Sequence, residues 1–377
     1  MRISRSAGVV TVALWIDGAL GLVCGPRIRA TLAREMDSTR ERLWRQHVER
    51  DPLPGPVEVV RWLVASQAQD YLNAKWAIGI RAAGATDATV ERAYDDGHIL
   101  RTHVLRPTWH FVLPEDIGWL LALTGPRVHA ANASRGRQLG LDTATRIRAA
   151  DAFARALEGS VFLTRDELRD VLSRVGISTE GQRMAYLLMY AELEAVVCSG
   201  PRRGKQFTYA LLDERAPDRR TLSRDEALAE LGARYLASRS PATPQDLAKW
   251  SGLTVADARR AIDGVAVPAP GRLRATPAAH LLSIYDEFLS SYRTGESLEE
   301  PEDAMHLVGQ GNALSAVVVV NGKIAGTWKR TFGTRAVHVT LAPFRPWSSE
   351  TERVVSEAAH RYAAFLGPDV ELELTRA

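Results

Sequence analysis

Between Leu163 and Leu212 the chain spells two capped helices, then a short hairpin with a basic tip, and few folds accept that order. Thr164 stands three residues before Glu167 and Thr179 three before Gln182, so each pair can close a reciprocal capping box at a helix start. Ala195 to Cys198 then reads as a strand, Gly200-Pro201-Arg202-Arg203-Gly204 as a turn, and Phe207, Tyr209 and Leu211 alternate as a half-buried return strand. Helix, turn, helix and hairpin describe a winged helix, with Arg202, Arg203 and Lys205 presented together at the wing.

The grammar repeats downstream. Thr243 precedes Asp246 by three with Pro244 at the favoured first helical position, and Thr254 precedes Asp257 by three. A second hairpin is expected across Pro268-Ala269-Pro270-Gly271. Upstream, Pro56 to Gln69 and Asp87 to Asp95 read as helices, and Ile99 to Leu113 alternates as a wing. There Trp109, Phe111 and Leu113 share one face, and Pro107, which cannot donate to a ladder, requires an edge strand or a strand that begins there. Three tandem units are expected.

Beyond them the pattern becomes β-rich. Leu281 to Tyr292 is apolar, Ala313 to Val320 reads as a buried strand, and Asn321-Gly322 as a hairpin turn leading into Ile324 to Lys329. Ala336 to Leu341 adds a strand, Ser349 to Leu366 a helix, and Glu371 to Leu374 an edge strand. The expected fold is α+β: tandem winged-helix units over 36–125, 126–220 and 221–277, then a small barrel-like domain over 278–377. Residues 1–35 read as an extension outside this array.

Composition narrows the function. A hydrophobic fraction of 46% and a charged fraction of 25% are those of a globular protein. The cations are nearly all arginine, with only Lys75, Lys205, Lys249, Lys323 and Lys329 as lysines, and five arginines crowd between Pro126 and Arg148. They form either a phosphate-facing stripe or a solvated helix face. Cys24 and Cys198 cannot build a zinc site alone, and no metal spacing joins the histidines, so no metal or cofactor is expected. Ala7 to Cys24 superficially resembles an export signal, but Asp17 interrupts it. A cytoplasmic, metal-free protein away from membranes fits best. A Walker loop, a GxSxG elbow and a complete dinucleotide fingerprint are all missing from the sequence.

Gln67-Ala68-Gln69-Asp70, the stretch Leu105 to Phe111, Gly125-Pro126-Arg127, the Gly200 to Gly204 turn with Thr208-Tyr209, and Asp286-Glu287-Phe288 with Tyr292-Arg293 carry a further message. In these segments the chain, from about Leu43 to Gly326, resembles the AlkZ/YcaQ family of winged-helix DNA glycosylases. The resemblance implies three winged helices with a small β-barrel, and metal-free, monofunctional excision of alkylated purines, in some members from crosslinks. It also implies Gln67 and Gln69 as the catalytic pair, because the family motif is glutamine, an aliphatic residue, then glutamine or aspartate. Arg101, Arg106, His110, Arg127, Arg202, Arg203 and Lys205 are the candidate DNA contacts, although His110 reads more readily as a satisfied strand histidine.

The chemistry suits neutral amides. An N7-alkylated purine already carries positive charge, so the base leaves without protonation, and the protein must hold a water and tolerate an oxocarbenium-like sugar. Residues two apart on a helix point about 200° apart. Both amides can therefore reach one water only if the helix ends beside them. Two other readings stay open: a non-catalytic DNA-binding or regulatory protein, and winged helices used only for protein contacts.

Overall fold

A computed structural model describes residues 38–272, 277–292, 297–307, 315–333 and 336–377, so the extension over 1–35 lies outside it. Cap chemistry sets most helix starts. Thr164 and Glu167 close a capping box that opens Arg165–Arg174, Thr243 and Asp246 one that opens Pro244–Ser251, and Thr254 accepts the Asp257 N–H at the start of Val255–Ile262. Such caps contribute about 1 kcal/mol each. Thr179 and Gln182 make no box. The helix Arg183–Leu193 starts after Gln182, whose amide oxygen instead accepts two bonds from Arg135 at 3.0 and 2.8 Å.

Strands follow as two small antiparallel sheets. Trp109–Val112 lies between Ala65–Gln67 and Leu100–His103, and Thr208–Leu211 lies between Leu163–Thr164 and Val197–Ser199. Pro107 sits in the turn before Trp109, which lets that strand be central. Among the described residues, 263–272 carry no strand where a hairpin across Pro268 to Gly271 is expected, and 273–276 lie outside the described residues. Pro268 and Pro270 cannot donate ladder bonds, and the segment packs on the helix at 38–45, where Arg45 donates to the Pro268 carbonyl at 2.7 Å.

The helix Pro114–Gln138 runs unbroken through the expected unit boundary at 125/126, so the first two units share a rigid element. Arg183–Leu193 is largely buried, with Met184, Leu187 and Leu188 in one core cluster and Met189 in a neighbouring one. Gly252 ends Pro244–Ser251 at φ 73, and a Cβ there would stand 2.5 Å from the Leu105 carbonyl oxygen. Only glycine allows both the left-handed turn and that approach, which sets the third unit against the loop leading to Trp109.

At the C-terminus five strands form one open sheet, ordered Glu371–Arg376, Ala336–Pro343, Lys323–Phe332, Ala316–Val320, Ala279–Leu282. It is not the barrel expected. The two outermost strands do not pair, and the last joins in parallel after the helix Ser349–Leu366 crosses the sheet. Asn321 at φ 50 and Gly322 at φ 84 make the tight two-residue turn. Tyr362 and Phe365 of the crossing helix meet Trp76 at ring-centroid distances of 5.1 Å, and Trp328 meets Tyr362 at 5.0 Å. Through this cluster the sheet and the first unit share one core.

Candidate active site

The glutamine pair does not lie on a helix. Pro56–Leu63 ends at Val64, which stands at φ 66 and ψ −52, and Ala65–Gln67 is a strand. A β-branched residue at positive φ is strained, and a buried arginine from the third unit holds it there. Arg239 donates to the Leu63 carbonyl at 3.0 Å and to the Ala65 carbonyl at 3.2 Å, spanning Val64. Asp70 caps the next helix, Tyr71–Gly79, by accepting the Asn73 N–H at 3.1 Å.

This strand is an edge. Ala65, Ser66 and Gln67 pair with Val112, Phe111 and His110, and the Ala68 N–H continues the ladder to the Trp109 carbonyl at 2.7 Å. The Gln67 N–H and the Ala65 carbonyl therefore face away from the sheet, where a neighbouring strand would otherwise be needed. Side chains supply the partners. Glu287 accepts the Gln67 N–H at 2.9 Å and Arg239 takes the carbonyl, while Glu287 and Arg239 bond each other at 2.7 Å, both fully buried. Trp250 and Ser291 donate to the same carboxylate at 2.8 and 2.9 Å. Burial alone would raise the Glu287 carboxyl, but Arg239 and the Gln67 N–H outweigh it and hold the group at about 2.

Alternation along the extended segment sorts the motif. Ala68 is fully buried in the shared core, so Gln67 leaves the opposite side, while Gln69 lies in the bend just past the strand. The small aliphatic residue between the glutamines is a packing residue, and its carbonyl accepts from Arg101 at 3.0 Å. Gln67 is only 8% exposed, beneath Arg106, whose guanidinium donates to its amide oxygen at 2.9 Å. Gln69 is exposed, and its amide oxygen accepts the Trp109 N–H at 3.3 Å. Clefts of about 290 and 280 Å³ flank Trp109.

The structure separates the expected DNA contacts into two groups. Arg127 and Lys205 are exposed, and Arg203 is half exposed while paired with Glu167 at 2.7 Å. Arg127 donates to the Gly252 carbonyl at 2.6 Å, and the Arg106 guanidinium reaches the Lys249 carbonyl at 3.2 Å, so the basic rim adjoins Gln67. Arg101, Arg202 and His110 face inward. Arg101, 8% exposed, stacks over Trp109 at 4.3 Å, and Arg202 lies between Tyr71 and Phe207 at 4.9 and 4.7 Å. His110 is fully buried opposite Gln67. Its Nδ1 meets the Thr108 carbonyl at 3.0 Å and its Nε2 has no partner. Burial, with Arg106 adding, pushes its pKa down to about 3, so the imidazole stays neutral.

The pattern of the family described as "DNA glycosylase AlkZ-like" matches residues 60–365, which contain every residue of this arrangement. The chain belongs to the AlkZ-like DNA glycosylase family. A curated relative, the interstrand DNA cross-link repair glycosylase of Streptomyces sahachiroi, is 27% identical over 355 residues, spanning 86% of this chain and 93% of that protein. The solved structure of Streptomyces sahachiroi DNA glycosylase AlkZ superposes with a TM-score of 0.74 at 22% identity, covering 91% of this chain and 99% of that one, and supports the same fold. Sequence reasoning about this AlkZ-like chain missed Arg239 altogether, and quoted Glu287 without a role. Both reach the motif from more than 170 residues away in sequence, and no local pattern marks them. Among the described residues there is no group of three or more metal-ligating side chains, and no helix long and apolar enough to cross a membrane.

Proposed function

We propose that this protein is a monofunctional DNA glycosylase that hydrolyses the N-glycosidic bond of N7-alkylated purines, including crosslinked ones, in double-stranded DNA. Family membership and the cross-link repair relative support the reaction class. One geometric observation carries the assignment to this site: Gln67 on a clamped strand edge and Gln69 just past its end each accept a bond from the 106–109 segment, beside exposed arginines, with the residue between them turned into the core. Water forms the new bond to C1′ as the C1′–N9 bond breaks. The bond's electron pair neutralises the cationic base, and the water's extra proton passes to solvent. Neutral amides are suited to holding that water because no proton has to be delivered to the leaving group.

The helix-pair-and-hairpin units over 36–125 and 126–220 and the helix pair within 221–277 are read as tandem winged helices, the third without a wing among the described residues. Arg127, Arg203 and Lys205 are the phosphate contacts in this reading, and the protein acts as a cytoplasmic monomer. Incubation with a duplex carrying N7-methylguanine tests it. Free base and an abasic site should appear together, whereas tight binding without base release would favour a non-catalytic DNA-binding protein.

A further inference from the structure

We propose that Arg106 is a positioning residue for Gln67, fixing which end of the amide faces the reaction, rather than a DNA-phosphate contact. The inference rests on the glycosylase reading above. An amide presents an acceptor at one end and two donors at the other, in nearly the same shape. A guanidinium only donates, so the end of Gln67 that meets Arg106 at 2.9 Å is the oxygen. The amide NH₂ is the end left for the reaction. The Gln67 NH₂ can then donate to a water's lone pair, and Gln69, held by the longer 3.3 Å bond from the Trp109 N–H, can turn its oxygen to accept a hydrogen bond from that water, whose extra proton passes to solvent. The two glutamines take different parts.

Arg106 is built for this. Its two terminal nitrogens go to separate acceptors, Gln67 Oε1 at 2.9 Å and the Lys249 carbonyl at 3.2 Å, and the residue is half-buried. Arg127 differs: it is exposed and engages the fold through Nε, with its fork directed elsewhere. The Lys249 carbonyl belongs to Pro244–Ser251, the helix that Gly252 seats against Leu105. Arg106 thus ties the orientation of one amide to the docking of the third unit on the first.

A double-variant cycle tests the proposal. Single-turnover excision of N7-methylguanine and duplex affinity are measured for the wild type, Arg106→Ala, Arg106→Lys, Gln67→Ala and the Arg106→Ala/Gln67→Ala pair. Both Arg106 variants should slow excision by about tenfold to a hundredfold, because lysine keeps the charge but not the fork. Affinity and its salt dependence should hold, and the double variant should be no slower than Gln67→Ala. Losses that multiply in the double variant, a wild-type rate for Arg106→Lys, or weaker binding with a shallower salt slope would overturn it. A second readout needs no activity. The Gln67 side-chain amide, assigned in a ¹⁵N spectrum by its loss in Gln67→Ala, should be held in one orientation in the wild type, with NH₂ shifts away from those of free glutamine, and should move to free-glutamine shifts in Arg106→Ala. Equal shifts in both overturn the positioning role. If the wild type releases no base but the amide responds as expected, the glycosylase reading fails and the positioning stands.

Discussion

The carboxylate of Glu287 accepts the backbone N–H of Gln67 at 2.9 Å, across 220 residues of sequence. With Arg239 it forms a buried ion pair that stands where a neighbouring strand would be, holding a short edge strand in one place. Glu287, just after the strand Ala279–Leu282, and Arg239, at the end of the helix Arg224–Arg239, thereby fix the backbone of a motif far from both in sequence.

Removing that carboxylate should cost more than one hydrogen bond. Glu287→Ala leaves the fully buried Arg239 uncompensated and is expected to destabilise the fold by about 3–5 kcal/mol, read as a large fall in melting temperature. Glu287→Gln keeps an acceptor for the Gln67 N–H and should lose less. Equal melting temperatures for Glu287→Ala and the wild type would show that the clamp does not hold the strand.

The buried imidazole makes stability depend on pH in a stated direction. His110 stays neutral down to about 3 in the folded protein against 6.5 when unfolded, so the unfolded state binds the proton first and stability falls as pH drops below about 6.5. Glu287 contributes stability above its ordinary 4.5, lost as pH falls towards about 2. Melting temperature should therefore decline from pH 7 to pH 4, and His110→Asn should flatten the decline between pH 6.5 and 4.5. An unaltered slope in that variant would place the titration elsewhere.

The wing offers a contrast between neighbours. Arg202 lies between Tyr71 and Phe207 and pairs with Glu91 at 3.6 Å, whereas Lys205 is exposed. Arg202→Ala should lower thermal stability. Lys205→Ala should leave stability alone, weaken duplex binding regardless of sequence, and reduce the salt slope by about one. Unchanged affinity and slope in Lys205→Ala would take this wing out of the interface.

The sequence disclosed whatever depends on neighbours a few residues apart. Thr164 with Glu167 and Thr243 with Asp246 marked helix starts that the structure keeps, and Asn321-Gly322 marked a turn whose two positive φ angles it has. Misreadings came where a distant partner decides. Val64 interrupts an apolar helical pattern because Arg239 bridges the carbonyls on either side of it, and Gln182 forgoes capping because Arg135 of the long helix claims its oxygen. The candidate motif itself was legible, but its geometry was not. A helix would have pointed the glutamines apart; instead Gln67 ends a strand and Gln69 sits in the bend after it, each bonded to the 106–109 segment.

The most direct test of the account compares single-turnover release of N7-methylguanine from duplex DNA by the wild type, Gln67→Ala, Gln69→Ala and Gln69→Asp. The wild type should release the base, and each alanine variant should be slower by roughly a hundredfold with duplex affinity intact, since a positioned amide acts on the transition state rather than on phosphate. Gln69→Asp, which keeps an acceptor at the exposed position, should retain part of the rate. Wild-type protein that releases no alkylated base, or alanine variants that both excise at the wild-type rate, would contradict catalysis by this pair.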